Sequence, residues 1–180
     1  MSDSKKIGLF YGSSTCYTEM AAEKIRDYLG EEKVDLYNIS ETDLRLANDY
    51  SQLIFGIPTW NYGELQEDWE NSWELLSLID WPSRVVALYG LGDQADYPQW
   101  YQDALGYLWA RVGQLGATTI GLWPVEGYQF TNSKALTSDG KYFVGLALNE
   151  GNDFESNSQS IDSWCQQISI EFKAHQADKM

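Results

Sequence analysis

Cations are scarce in this chain. Twelve Lys and Arg stand against 27 Asp and Glu over 180 residues, giving a net charge of −15 and a pI near 4.2. Binders of nucleic acid are basic, so that class is excluded. An anionic membrane surface is excluded by the same sign. A positively charged partner protein is favoured. Histidine is almost absent: His175, in the polar tail, is the single copy. Histidine-based acid–base chemistry and histidine metal sites therefore have no material to work with. The two cysteines, Cys16 and Cys165, lie far apart and form no metal spacing and no disulfide framework, as expected in a reducing compartment. No apolar run approaches the ~18 residues of a membrane span, and no apolar signal core follows Met1–Lys6. A cytosolic, monomeric protein is expected. No repeat, linker or low-complexity segment is present, and the length suits one domain over residues 1–180.

The shortage of cations is steepest between Leu46 and Ala110. Arg84 is the only basic residue there, against Asp49, Glu64, Glu67, Asp68, Glu70, Glu74, Asp80, Asp93, Asp96 and Asp103. Aromatics, by contrast, are plentiful at 14%, with eight Trp. A chain this apolar has enough material for a real core.

Apolar runs alternate with amphipathic stretches. Strands are expected at Ile7–Tyr11, Val34–Ile39, Gln52–Ile57 (ended by Pro58) and Arg84–Tyr89. Helices are expected at Glu19–Leu29, with Met20, Ile25, Tyr28 and Leu29 as apolar positions, and at Asp68–Ile79. Two more are expected at Gln99–Leu115, with Leu105, Leu108, Trp109 and Val112 on one face, and at Ser158–Phe172, with Ile161, Trp164, Cys165 and Ile168 inward. Glu41–Asn48 reads as a short helix or turn. A fifth strand starts at Thr118–Trp123, breaks off into a turn-rich stretch from Pro124 to Lys141, and resumes at Phe143–Leu148. That is one strand position interrupted by an insertion, unusual in a compact domain. Continuous apolar strands alternating with helices imply a five-stranded, doubly wound parallel sheet of order 2-1-3-4-5. Ligands of such sheets bind beyond the carboxyl ends of the strands, where the winding reverses. The loops Gly12–Thr18, Pro58–Glu64 and Gly90–Trp100 should converge there.

The first loop is rich in hydroxyls: Ser13, Ser14, Thr15 and Thr18 fall within six residues, around Cys16 and Tyr17. It follows a strand and opens a helix, the layout that aims unpaired amides at an anion. No Lys or Arg lies between Ile7 and Glu23, so a phosphate would be held by neutral donors alone. An ordinary helix cap would need just one of those hydroxyls. The second loop, Pro58-Thr59-Trp60-Asn61-Tyr62-Gly63-Glu64, and the third, Gly90-Leu91-Gly92-Asp93-Gln94-Ala95-Asp96-Tyr97-Pro98, each bring an aromatic and glycines. Two aromatics beside a phosphate site suggest a flat ring in a sandwich, and FMN is the natural candidate. Packing alone would explain any one of these aromatics; the coincidence of three loops is what points to a ligand.

At these residues the chain resembles the flavodoxins, over about Lys6 to Phe172. The family's phosphate loop reads Ser/Thr-x-Thr-Gly-x-Thr, and Ser13–Thr18 follows it with Cys16 in the Gly position. The stretches Pro58–Asn61 and Gly90–Gln94 with Tyr97 match the two flavin-flanking loops. The interrupted fifth strand is similar to the long-chain subgroup, and Tyr11–Met20 looks most like the enterobacterial flavodoxin 2 type. The resemblance implies a low-potential one-electron carrier with bound FMN, not an enzyme. It implies cofactor contacts at Ser13, Ser14, Thr15, Cys16, Tyr17, Thr18, Pro58, Thr59, Trp60, Asn61, Tyr62, Gly63, Gly90, Gly92, Asp93 and Tyr97. It also implies that the Asn61 carbonyl accepts a bond from the flavin N5–H after one electron is taken up. A basic redox partner, such as a flavodoxin/ferredoxin-NADP reductase, is expected to dock on Glu64, Glu67, Asp68 and Glu70. Two departures stand out. Cys16 must avoid a strongly positive φ or accept strain. Where long-chain relatives often place acids near the ribityl chain, this sequence reads Asn149-Glu150-Gly151-Asn152.

Three other readings compete. An FMN-dependent NAD(P)H quinone or azo reductase on the same fold would need an open substrate pocket over the ring. A thiol phosphatase would need Arg where Ala22 stands. A response regulator would need Asp where Pro58-Thr59 ends the third strand.

Overall fold

A computed structural model describes residues 6–13, 16–152 and 154–178 of the chain. Its central strands are β1 (Ile7–Tyr11), β2 (Val34–Asn38), β3 (Gln52–Trp60), β5 (Val85–Gly92), β6 (Thr118–Ile120) and β9 (Leu146–Asn149). The helices are α1 (Tyr17–Leu29), α2 (Glu67–Ser72), α3 (Asp103–Gln114) and α4 (Phe154–Asp178). Strand β4 (Glu64–Leu65) folds back on β3, while β7 (Trp123–Pro124) and β8 (Tyr142–Phe143) pair with each other outside the main sheet. The expected helix at Asp68–Ile79 is α2 followed by a tighter turn at Trp73–Leu78, and another such turn occupies Leu44–Asp49.

The sheet runs β2-β1-β3-β5-β6, all pairs parallel. With β5 as the fourth strand, this is the expected order 2-1-3-4-5. The fifth position is shared, as the broken pattern implies. Strand β6 pairs with Val85–Ala87 and β9 with Tyr89–Gly92, both parallel to the same strand. The backbone re-enters beside β5 at Gly145, where a β-carbon would stand 2.2 Å from the Leu88 carbonyl oxygen. Only glycine allows that approach.

Strands β1, β3 and β5 are buried on both faces nearly throughout, as a covered parallel sheet requires. One core, with Phe10, Phe55, Leu88, Trp69 and Leu105, lies under α2 and α3. The other, with Leu9, Ile54, Tyr89, Ile25, Trp164 and Ile168, lies under α1 and α4.

Three expectations need correction. Strand β3 does not stop at Pro58 but continues to Trp60, with Pro58 buried opposite Leu91; β5 likewise runs on to Gly92. Sheet pairing overrides the local break signals. The inward face of α1 is Thr18, Ala21, Ala22 and Ile25, whereas Met20 and Tyr28 are over 40% exposed. Small residues let the helix sit close to the sheet, and that decides the face. Trp109 on α3 is also exposed and gives its indole N–H to Thr119 Oγ1 at 3.1 Å. In α4 the inward set Ile161, Trp164, Cys165 and Ile168 is as expected; burial pushes the Cys165 thiol up to about 12, which keeps it inert.

Candidate functional site

The first loop leaves the end of β1 and enters α1. Its Cys16 takes the N-cap position with φ 73°, so the residue accepts the strained left-handed conformation. Among the described residues, no side chain caps the helix. The first amides of α1 therefore lack the usual internal partner and face the loop. Ser13 Oγ is buried and has no hydrogen-bond partner among the described residues. A buried, unpaired hydroxyl is costly unless something external accepts or donates to it. Tyr89 reaches from β5 to donate its hydroxyl proton to the Thr18 carbonyl at 2.9 Å, which ties the loop to the sheet. Thr18 is buried, while Cys16 and Tyr17 are exposed; Ser14 and Thr15 lie outside the described residues.

The second and third loops meet in a cleft of about 250 Å³ lined by Thr59, Trp60, Asn61, Gly92, Asp93, Tyr97, Trp100 and Glu150. Trp60 and Tyr97 thus share one cavity, as expected. Tyr62 sits edge-on to both Tyr97 (centroids 6.0 Å apart) and Trp100 (5.0 Å), joining the two loops. Asp93 shapes its own loop, accepting from the amides of Ala95 and Asp96 at 3.0 and 2.9 Å.

Not every expected residue reaches the cleft. Pro58 and Gly90 pair within the sheet, Pro58 with Leu91 and Gly90 with Ile57, and the Gln102 side chain covers Gly90. Tyr17 faces a different, largely apolar hollow of about 160 Å³ between α1 and α4. Gly63 is buried behind the turn.

Two cleft residues were not among those expected. Trp100 follows the third loop in a tight turn at Pro98–Trp100, and its place near an assigned aromatic was the available signal. Glu150 enters because its amide bonds the Gly92 carbonyl at 2.9 Å, continuing the β5–β9 pairing into the cleft. Burial, and then the neighbouring Asp93 carboxylate, raise the Glu150 carboxyl above its ordinary range. Two acids thus face one cleft, with no cation among its lining residues. Among the described residues, no cluster of His, Cys, Asp and Glu is suited to a metal ion.

Uncharged donors at the end of β1 and an aromatic cleft at the ends of β3 and β5 straddle the point where the sheet's winding reverses. This is the layout of an α/β protein that binds an anion-tailed planar ring. The family model described as Flavodoxin matches residues 9–164. Flavodoxin 2 of Escherichia coli (strain K12) is 52% identical over 171 residues, which cover 95% of this chain and 99% of the relative. A flavodoxin of Nostoc sp. (strain PCC 7120 / SAG 25.82 / UTEX 2576) is 47% identical, over 94% and 98% of the two chains. Among solved structures, Fusobacterium nucleatum flavodoxin bound to flavin mononucleotide superposes with a TM-score of 0.86 at 28% identity, covering 93% of this chain and 98% of that one. The chain belongs to the flavodoxin family.

Proposed function

We propose that this protein carries electrons one at a time on bound FMN, as a low-potential shuttle between protein partners. When bound, FMN supplies a ring that accepts and releases single electrons. The chain's residues do the rest. The Ser13 hydroxyl and the open amides of α1 would hold the phosphate without a cation. Trp60 and Tyr97 would flank the ring and exclude water. The observation that carries this reading is the Ser13 hydroxyl, unpaired among the described residues just past the end of β1, together with a cleft at the ends of β3 and β5 that holds both aromatics.

A low potential follows from charge. Asp93 and Glu150 line the cleft, and adding negative charge near two carboxylates is unfavourable at low effective dielectric. Electron-rich aromatic faces oppose it too. Asn61 lines the same cleft, and its carbonyl would accept a proton donor at the edge of the bound ring.

Redox partner proteins follow from carrier function. We place a basic reductase on the surface formed by Glu64, Glu67, Asp68 and Glu70. Glu64 pairs with Trp60 across the β3–β4 hairpin, and the other three fill the first turn of α2. None of the four forms an ion pair among the described residues. Acids also suit a helix N-terminus on their own account, so the salt dependence of electron transfer is the discriminating measurement. Rates should fall steeply with added salt; a flat response would remove this surface from consideration.

The quinone or azo reductase reading is not favoured, because the curated relatives bear the flavodoxin name. The decisive experiment is titration of the purified apoprotein with FMN, followed by reduction with NADPH in the presence and absence of a reductase. Tight uptake with quenched flavin fluorescence, and reduction only when the reductase is present, is expected. A preparation that takes up no FMN would overturn the proposal.

A further inference from the structure

The turn Asn61-Tyr62-Gly63 brings Asn61 to the wall of the cleft and contains two residues with left-handed backbone, Asn61 (φ 42°) and Gly63 (φ 87°). A turn of that kind is held in place by what it leans on. Behind it stands Asp103, the first residue of α3. A β-carbon on Gly63 would lie 2.8 Å from Asp103 Oδ2, 3.2 Å from Asp103 Cβ and 3.3 Å from Trp100 Cδ1. The missing side chain is therefore what lets the turn sit against the carboxylate. The other oxygen, Asp103 Oδ1, accepts the backbone N–H of Lys134 at 2.8 Å. Lys134 lies in the insertion that splits the fifth strand. One carboxylate thus touches the cleft turn on one side and the insertion on the other.

The neighbouring contacts reinforce this junction. The Ala104 amide donates to Thr59 Oγ1 at 3.0 Å, binding the same end of α3 to the cleft strand. Gly106, one turn on, sits so close to the insertion that a β-carbon would stand 2.2 Å from the Lys134 carbonyl oxygen. Asp103 is only 2% exposed, far from the position of a carboxylate placed for solubility. Burial raises its carboxyl above the ordinary range, while the Lys134 amide and charge oppose that.

We propose that Asp103 is a positioning residue, whose carboxylate braces the Asn61–Gly63 turn against the insertion and so sets the turn's conformation at the edge of the bound ring. The inference rests on the FMN-carrier reading above. The turn's preference for one conformation over another in each redox state contributes directly to the two one-electron equilibria. Removing the brace changes their ratio without removing any group that touches the ring.

The test uses the FMN-loaded full-length chain and three variants: Asp103→Ala, Asp103→Asn and Val112→Ala. FMN uptake is measured first; failure of the unaltered protein to bind FMN would end the carrier reading rather than this one. Asp103→Ala is expected to change the ratio of the two one-electron equilibrium constants about tenfold, or about 59 mV in the gap between the two midpoint potentials. Amide hydrogen exchange at Gly63 and Lys134 should quicken in the same variant, in the apoprotein as well. Asp103→Asn keeps an acceptor oxygen for the Lys134 amide and should restore both readouts to within about twofold. Val112→Ala opens a cavity on the same helix, away from the junction; it should lower the melting temperature and leave the gap alone. The inference fails if Asp103→Ala leaves the gap and the exchange rates unchanged. It also fails if Asp103→Asn behaves like Asp103→Ala, or if Val112→Ala shifts the gap equally.

Discussion

The two ends of the sheet treat polar groups in opposite ways. At the amino end stands Arg84, the one cation between Leu46 and Ala110. Its guanidinium is largely buried and fully engaged: Nε donates to the Tyr50 and Ala47 carbonyls at 2.9 and 3.3 Å, and the two terminal nitrogens donate to the carbonyls of Asp80 and Asn48. The Asp80 carboxylate adds an ion pair at 3.8 Å. At the carboxyl end, among the described residues, the Ser13 hydroxyl is buried without a partner and α1 begins without a side-chain cap. A polar group satisfied by its own chain serves the fold; one without a partner in its own chain is open to water or to a ligand. The chain's only cation in that long stretch therefore supports the framework, and the proposed phosphate site would be left to neutral donors.

The largest expected effect lies at the amino end. Arg84→Ala leaves four carbonyls, three of them in part-buried bonds, without their donor and should cost about 3 kcal/mol in urea unfolding of the apoprotein. FMN affinity, measured on the still-folded fraction, should stay within about twofold. A loss of FMN binding as large as the loss of stability would break the contrast between the two ends.

Trp60→Ala comes next. It removes one face of the proposed sandwich from a residue already 40% exposed, so FMN affinity should fall by about 2 kcal/mol, roughly thirtyfold. Stability of the apoprotein should hardly change. Fluorescence titration of the flavin reads the first quantity and thermal unfolding the second.

Ser13→Ala sharpens the comparison furthest. The hydroxyl has no partner among the described residues, so its loss should leave the apoprotein as stable as before or slightly more so. FMN should bind about 1 kcal/mol more weakly. Riboflavin, which lacks the phosphate, should bind the variant and the unaltered protein alike. Equal weakening for both ligands would place the phosphate elsewhere.

The smallest effect concerns Glu150. Its carboxyl is raised by burial and by Asp93, so the folded state holds that proton more tightly than the unfolded chain does. The stability this contributes is complete below the ordinary glutamate range and is lost as pH rises through the raised value. Glu150→Gln should therefore match the unaltered apoprotein at acid pH and become slightly more stable than it toward neutrality. Melting curves taken across that interval check the sign, and a variant destabilised at neutral pH would contradict it.

Much of this framework was legible along the chain. Strand order, the break in the fifth strand and the convergence of three loops all follow from local apolar periodicity combined with the handedness of parallel crossovers. Where the reading failed, distant partners overruled local signals. Pro58 and Gly90 carry the marks of loop residues, yet both lie inside the sheet because the pairing of β3 with β5 extends past them. Met20 and Tyr28 are the larger apolar residues of α1, yet Ala21 and Ala22 face the sheet, because close packing favoured the smaller side chains.

The amino-acid sequence by itself determined the alternation of elements, the absence of cations from the first loop and the acidic character of its surroundings. These properties depend on residue type and spacing along the backbone. Only the tertiary structure decided that Ser13 would be buried with no partner among the described residues, that Glu150 and Trp100 would join the cleft, and that Asp103 would stand between a turn and an insertion some thirty residues away. Each of those outcomes depends on which groups from distant segments arrive at the same place, and hydrogen bonding, burial and repulsion act through space rather than along the chain.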